Sequence, residues 1–264
     1  MIVDTNVHLG HWPFRFLPWD STVELRSRLA NLKVNVAWVS LLEGVWHRDL
    51  GEVNRRLVRA CERPPGAPDV RFLPLGTVNP LLPGWRDVLK DCVAAHQMRG
   101  IRLYPAYHGY TLAEPVADEV LTAAAKANLF VQLVVKFEDE RTQHPLCQVP
   151  AVDLQPLPDL ISDIPKLRLQ VLNAPGTLPD EIVVPLARSQ RVWFDFAMVE
   201  GVLGLARFAE RVGVEQLLFG SHFPLFYSES ALGKLKEADL PESQVAAILA
   251  GHGWAAELRG PDAR

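Results

Sequence analysis

Eight short runs rich in aliphatic and β-branched residues recur along the chain, and they restrict the fold more tightly than any other feature. They are IVDTNVH (2–8), VNVAWVSLL (34–42), VRFLPLGTV (70–78), GIRLYP (100–105), LFVQLVVK (129–136), LRLQVLN (167–173), RVWFDF (191–196) and LLFGSH (217–222). Each is apolar nearly throughout instead of alternating, which is the pattern of strands buried on both faces. Amphipathic stretches of helical length separate them, at 21–32, 47–62, 85–96, 115–128, 152–164, 179–189 and 200–213, with a closing pair at 228–238 and 242–258. The first opens on Ser21 with Glu24 three positions on, a helix-start signature. Strand and helix alternating eight times predict an α/β, single-domain (β/α)8 TIM barrel over residues 1–264. An open doubly wound sheet is the alternative, but no glycine-rich phosphate turn follows the first strand.

Composition narrows the function classes. At 264 residues and 48% hydrophobic the chain can bury one large core. Its net charge is −4, with Lys and Arg scattered and no basic stripe, which argues against nucleic acid as a partner. The cysteines Cys61, Cys92 and Cys147 are far apart and lack CxxC spacing, so neither a disulfide framework nor a structural zinc knot is expected. No apolar run is long enough to span a bilayer, and MIVDTNVH lacks the features of a signal peptide. The expectation is a soluble cytoplasmic protein without a membrane partner.

In such a barrel chemistry sits at the C-terminal ends of the strands. The first strand delivers Asp4, Asn6 and His8, alternate residues expected on one side, then a loop with His11, Trp12 and Arg15. The fourth gives Arg102 and Tyr104, followed by Tyr107, His108 and Tyr110. The fifth runs into KFEDERTQHP, carrying Lys136, Glu138, Arg141 and His144. The sixth ends at Asn173, the seventh carries Asp195, and the eighth ends at His222. His47, His96 and His252 fall on helices or their edges and read as structural. Asp4 and Asp195 are open between buried structural acids and functional ones. His222 is harder to dismiss, because a buried imidazole needs a partner for at least one ring nitrogen.

The chain resembles the amidohydrolase superfamily, specifically its amidohydrolase-related branch of metal-dependent hydrolases and decarboxylases. IVDTNVH resembles that branch's IDxHxH, GIRLYPAYHGY its GxKLHP segment, and LLFGSHFP its GSDxP ending. The resemblance implies a divalent metal held by the two histidines of HxH, by histidines of strands five and six, and by the aspartate of GSDxP. Here Asn6 stands at the first of these positions and His8 at the second. Val134 and Lys136 lie near the strand-five position, Asn173 takes the strand-six position, and His222 replaces the aspartate. His8 and His222 are one ligand short of a catalytic zinc site. A single zinc would need Glu138, His144 or Asp4 to complete it, and tight metal binding is not expected.

The chemistry then falls to His222 as general base, with Asp4 or Asp195 orienting its ring. Arg102 stands in the place of the family's lysine and offers a planar fork to a carboxylate or developing oxyanion. Arg15 and Arg141 are expected to converge with it on an anionic small molecule. Asn6, Tyr104, His108, Glu138, His144 and Asn173 are candidates to bind substrate, and Trp12, Tyr107, Tyr110 and Phe223 to wall the pocket. The leading expectation is a hydrolase acting on a carboxylate-bearing lactone, amide or ester, with a decarboxylase as its variant. A catalytically inactive barrel that binds an anionic ligand or a protein is the alternative, and a purely structural subunit would leave the polar strand ends without purpose. A homodimer is expected only by analogy with such barrels.

Overall fold

The structure, a computed structural model, describes residues 1–258. Seven parallel strands lie side by side in chain order: β1 Val3–Leu9, β2 Val36–Leu41, β3 Arg71–Thr77, β4 Gly100–Leu103, β5 Phe130–Val134, β6 Arg168–Leu172 and β7 Val192–Phe194. Parallel neighbours cannot be joined by tight hairpins, so helices fill the crossovers. These are α1 Thr22–Asn31, α2 Leu50–Cys61, α3 Trp85–Ala94, α4 Pro105–His108, α5 Pro115–Lys126, α6 Leu157–Asp163, α7 Asp180–Arg188 and α8 Gly204–Val212. Helices α9 Ser228–Glu237 and α10 Glu242–Leu249 complete the described chain. Ser21 caps α1 as its sequence predicts, accepting from the Glu24 amide. Asp49 does the same for α2 and moves its start to Leu50. The last amphipathic stretch is not one helix: Gly251 and His252 both take positive φ, which ends α10 and leaves two short 3-10 turns.

The eighth apolar run departs from expectation. It forms no regular strand, but it lies between the two edges of the sheet and bonds to each. Leu217 bridges Phe194, and the Leu218 amide donates to the Phe194 carbonyl at 2.9 Å. On the other side the Thr5 and His8 amides donate to the carbonyls of Phe219 and Phe223, each at 2.8 Å. The ladder is interrupted where the run crosses buried polar groups. A Cβ on Gly220 would stand 2.8 Å from the Asp195 Cβ and 3.0 Å from that of Asn6, so only glycine fits there. Two residues on, His222 takes φ 60°, and the pairing ends.

The interior is layered. At the N-terminal end Val3, Trp38, Leu75, Phe130, Trp193 and Leu218 pack on Ala255, Ala256 and Leu258, and the Trp38 indole donates to the Ala255 carbonyl at 2.8 Å. Above them Gln132 and Gln170 stand opposite one another on β5 and β6. The Gln132 amide donates to Gln170 Oε1 at 2.8 Å and to the Thr5 carbonyl at 2.6 Å, and Gln170 donates to Thr5 Oγ1 at 2.8 Å. Full pairing is the condition for keeping such groups out of water. The layer above holds His8 and Arg102. Outside the sheet, Val7, Leu9, Val39, Leu103 and Val131 join the helices in the main core.

Candidate active site at the strand ends

Strand β1 delivers its three polar residues to different partners. Its register against β2 shifts between Asp4 and Val7, so the expected simple alternation fails. Asp4 turns to the eighth run, where Oδ2 accepts from the Ser221 hydroxyl at 2.5 Å and Oδ1 from the Ser221 amide at 3.0 Å and the Asn6 amide at 3.1 Å. It is therefore not placed to orient His222. Burial outweighs these bonds and raises its carboxyl to about 6.

Asn6 and Asn173, at the positions where the resemblance implies imidazoles, form a carboxamide clasp around Asp195. Asn6 Nδ2 donates to Asp195 Oδ2 at 2.7 Å and to Asn173 Oδ1 at 2.9 Å, and the Asn173 amide donates to Asp195 Oδ1 at 2.7 Å. Asn173 holds φ 59°, a region asparagine tolerates better than most residues. Burial pushes Asp195 up to about 7 despite the clasp. The Asn6 Oδ1 is left buried and unpartnered.

His222 faces the mouth, but both of its nitrogens are engaged. Nε2 lies 2.6 Å from the Phe137 carbonyl and must donate to it, so Nδ1 is the acceptor, 3.2 Å from Asn173 Nδ2. Burial drives the imidazole down to about 3. A base that weak, with its lone pair already occupied, does not take a proton from water in this arrangement. The role expected of His222 is thus corrected: it is a neutral clasp between the eighth run and the segment after β5.

His8 is also fully buried and held neutral by burial, then by the charge of Arg102. Arg102 enters from β4, with Nη1 3.1 Å from both ring nitrogens of His8 and 3.2 Å from the Val7 carbonyl. Its Nε donates to Gln132 Oε1 at 2.7 Å. The guanidinium stays cationic even here, although burial lowers its pKa. Its Nη2 and the Tyr104 hydroxyl are buried and make no hydrogen bond of good geometry, although the two groups lie close enough to interact with one another, and Tyr104 with Ser40.

Phe137, the residue after Lys136, caps this layer. Its ring lies 5.1 Å from the centre of His8, 5.3 Å from His222 and 4.9 Å from Trp12. With Trp12, Leu17, Leu42, Tyr104 and Leu225 it makes a separate apolar cluster over the polar centre. Glu138 follows, buried beneath Trp12 and Arg15. It accepts from the Trp12 indole at 3.0 Å and lies 3.6 Å from Arg15 Nε, while its Oε2 has no partner and burial raises its pKa.

Other candidates lie elsewhere. Arg141 is exposed and paired with Asp139 and Glu200, and Arg15 donates to the Leu225 carbonyl at 2.8 Å, so the three arginines do not converge. His144 accepts from the Leu146 amide and packs on Phe14, away from the imidazole pair. His108 donates to the Gly44 carbonyl at 3.0 Å, packs on Tyr104 and is lowered to about 4 by burial. Tyr110 and Phe223 belong to the main core cluster and not to the cluster over the polar centre.

These residues do not fit a divalent ion. Among the described residues no three His, Cys, Asp or Glu side chains gather as a metal-holding group. His8 meets a guanidinium, His222 meets Asn173 and a carbonyl, and Glu138 and His144 are turned to other partners. Zinc held by His8 and His222 is accordingly not supported.

Sequence reasoning missed Phe137, the Gln132–Gln170 pair and Ser221. A signal existed for the glutamines, since FVQLV and LQVL each hold one polar residue inside an apolar run. Nothing local marked Phe137, an aromatic like others beside a charge run.

Known proteins share this architecture. A 5-carboxyvanillate decarboxylase from Sphingomonas paucimobilis is similar at 14% identity and TM-score 0.71, covering 96% of this chain and 97% of the other. A 2,6-dihydroxybenzoate decarboxylase from Rhizobium matches at 13% identity and TM-score 0.67, over 96% and 97%. A dihydroxybenzoic acid decarboxylase from Polaromonas sp. JS666, with bound manganese and 2-nitroresorcinol, matches at 12% identity and TM-score 0.66, over 96% and 95%. No curated protein matches the sequence. The amidohydrolase family pattern matches residues 43–251, from just after β2 into the turn after α10. With that match over most of its length, the chain belongs to the amidohydrolase family.

Proposed function

We propose that this protein is a lyase that decarboxylates a small aromatic hydroxy acid without a divalent ion, on a barrel whose eighth stave is the 217–223 run. One observation carries the reading: a fully buried arginine at the strand ends whose Nη2 makes no hydrogen bond of good geometry, beside the buried Tyr104 hydroxyl with which it interacts. Hydrolysis, the leading expectation from sequence, needs an activated water. His222 is too weak a base, and both oxygens of Asp4 are taken by Ser221 and Asn6. Decarboxylation needs none. The ring carbon bearing the carboxylate first takes up a proton, drawing on an electron pair from the ortho or para phenolate oxygen. The bond to the carboxyl carbon then breaks, CO2 leaves, and the bond's electron pair returns through the ring to that oxygen. A buried guanidinium pointed at that oxygen stabilises the developing charge. The proton comes from an acid of the mouth, and Glu138, whose Oε2 is unpartnered and whose pKa burial raises, is available to give it. Trp12, Tyr104 and Phe137 offer aromatic walls, and the substrates named for the similar decarboxylases are aromatic acids of this kind. Substrate reaches Arg102 only when Phe137 moves aside. Three free cysteines are in keeping with a cytoplasmic setting.

The test is CO2 release, followed by ¹³C NMR across a panel of carboxyl-labelled hydroxybenzoates with EDTA present. Turnover in chelator, reduced ~10²–10³-fold in Arg102→Met, is the expected result. Absence of turnover across the panel refutes it. The Phe137 cap favours a second reading, a barrel that binds such acids without converting them. That reading predicts thermal stabilisation by the same acids and no CO2.

A further inference from the structure

We infer that the Arg102 guanidinium is the resident cation of the barrel mouth, a tethered charge standing where a divalent ion would stand and shutting such ions out. Groups that grip metals in other proteins are gathered around it: the His8 imidazole and Val7 carbonyl in contact, and the Asp4 and Asp195 carboxyls within its electrostatic reach. His222 feels the same charge. None of these groups is free for an ion, because each already holds a guanidinium, an amide or a hydroxyl.

The arginine is braced as a fixed part of the fold. Nε is held by Gln132, Gln132 by Gln170, and Gln170 by the Thr5 hydroxyl, which in turn donates its hydrogen to the Phe219 carbonyl. This chain of bonds runs from β4 across the interior to the eighth run and fixes the planar fork in one pose. Lysine could not reproduce it, since it lacks the second arm that contacts His8 while the first holds Gln132. The substitutions at the expected ligand positions follow from the same cause. With a single positive charge in place of a double one, further imidazoles or carboxylates would be poorly compensated. Asn6 and Asn173 instead bond to each other and to one acid.

Exclusion follows from charge. An incoming divalent ion would have to settle beside a buried cation that cannot lose its proton, and would have to displace the Asn173 amide or the Phe137 carbonyl from His222. The inference shares Arg102 with the proposed reaction but is read from ion binding, so it can stand or fall independently of any turnover.

The experiment is metal analysis of protein purified without chelators, with titration of Mn²⁺ followed by the EPR signal of the free ion and thermal shift with Zn²⁺. Wild type is expected to carry substoichiometric metal and to show no shift with either ion. Arg102→Ala is expected to bind Mn²⁺ or Zn²⁺ at least ~10-fold more tightly. A stoichiometric ion in wild type, or equal affinity in wild type and Arg102→Ala, overturns the inference. If Arg102→Ala does not fold, the wild-type metal content and titration decide the matter alone.

Discussion

Replacing Asp195 by Asn tests the electrostatics of the mouth most directly. The carboxyl is fully buried, and burial lifts it from the ordinary 3.8 to about 7. Between those values the unfolded chain is ionised while the folded one keeps its proton. The native state therefore binds more protons, and stability falls as pH rises. The contribution is fully present below 3.8, is lost through about 7, and is flat above. Over the whole window the rise corresponds to about 4 kcal/mol, and between pH 5 and pH 8 to about 3 kcal/mol. His8 and His222, both driven down by burial, act in the opposite sense and weaken the fold as pH falls below their unfolded value of 6.5. They are common to both proteins and cancel in the difference. The assay is urea denaturation of wild type and Asp195→Asn at each pH from 5 to 8. The variant loses a clasp acceptor and should start less stable at pH 5, by about 1–3 kcal/mol. It should then gain on wild type by about 3 kcal/mol toward pH 8. Stability differences that stay constant across the range would refute the argument and mean that Asp195 is ionised in the folded protein.

Other predictions follow from the packing. Phe137→Ala should cost about 3–5 kcal/mol in denaturation and raise acrylamide quenching of tryptophan emission as Trp12 is uncovered; a loss below about 1 kcal/mol would show that the ring does not seal the mouth. Ser221→Ala removes the shortest bond to Asp4 and should destabilise by about 1–3 kcal/mol. Its cost should grow as pH rises through about 6, and a pH-independent cost would argue against the clamp. His222→Asn keeps a residue tolerant of φ 60° but loses the bond to the Phe137 carbonyl. Protease cleavage after β5 should quicken, and an unchanged cleavage rate would count against the clasp.

Much of the fold was legible because it rests on local patterning. Runs buried on both faces and helices apolar on one face announce parallel strands and crossovers without knowledge of what they touch, and seven of the eight runs are strands within a few residues of their expected bounds. The eighth was legible in place but not in form, since Gly220 and the left-handed His222 break its ladder where it passes Asn6 and Asp195. The polar inventory of the strand ends was readable too: Asp4, Asn6, His8, Arg102, Asn173, Asp195 and His222 are all buried at the mouth. Their pairing was not. Strand alternation placed Asp4 with Asn6 and His8, and a one-residue shift against β2 separated them. Loop residues were the least predictable, and Arg141 and His144 turned outward while Phe137 and Glu138 turned in.

By itself the sequence determined which side chains each strand carries to its C-terminal end, because the period of a buried strand and the direction of the chain set that order. It also determined that two carboxamides and an imidazole would stand at strand ends where the resemblance implies metal ligands. Only the tertiary structure decided what those groups do. Hydrogen-bond partners drawn from the ends of β1, β4, β6, β7 and from the eighth run meet on the inner side of the sheet, at separations of up to 217 residues. Burial there is what neutralises His222, lifts Asp4 and Asp195 and leaves Arg102 as the charge at the centre. Desolvation depends on everything packed around a group, and no stretch of sequence carries that information alone.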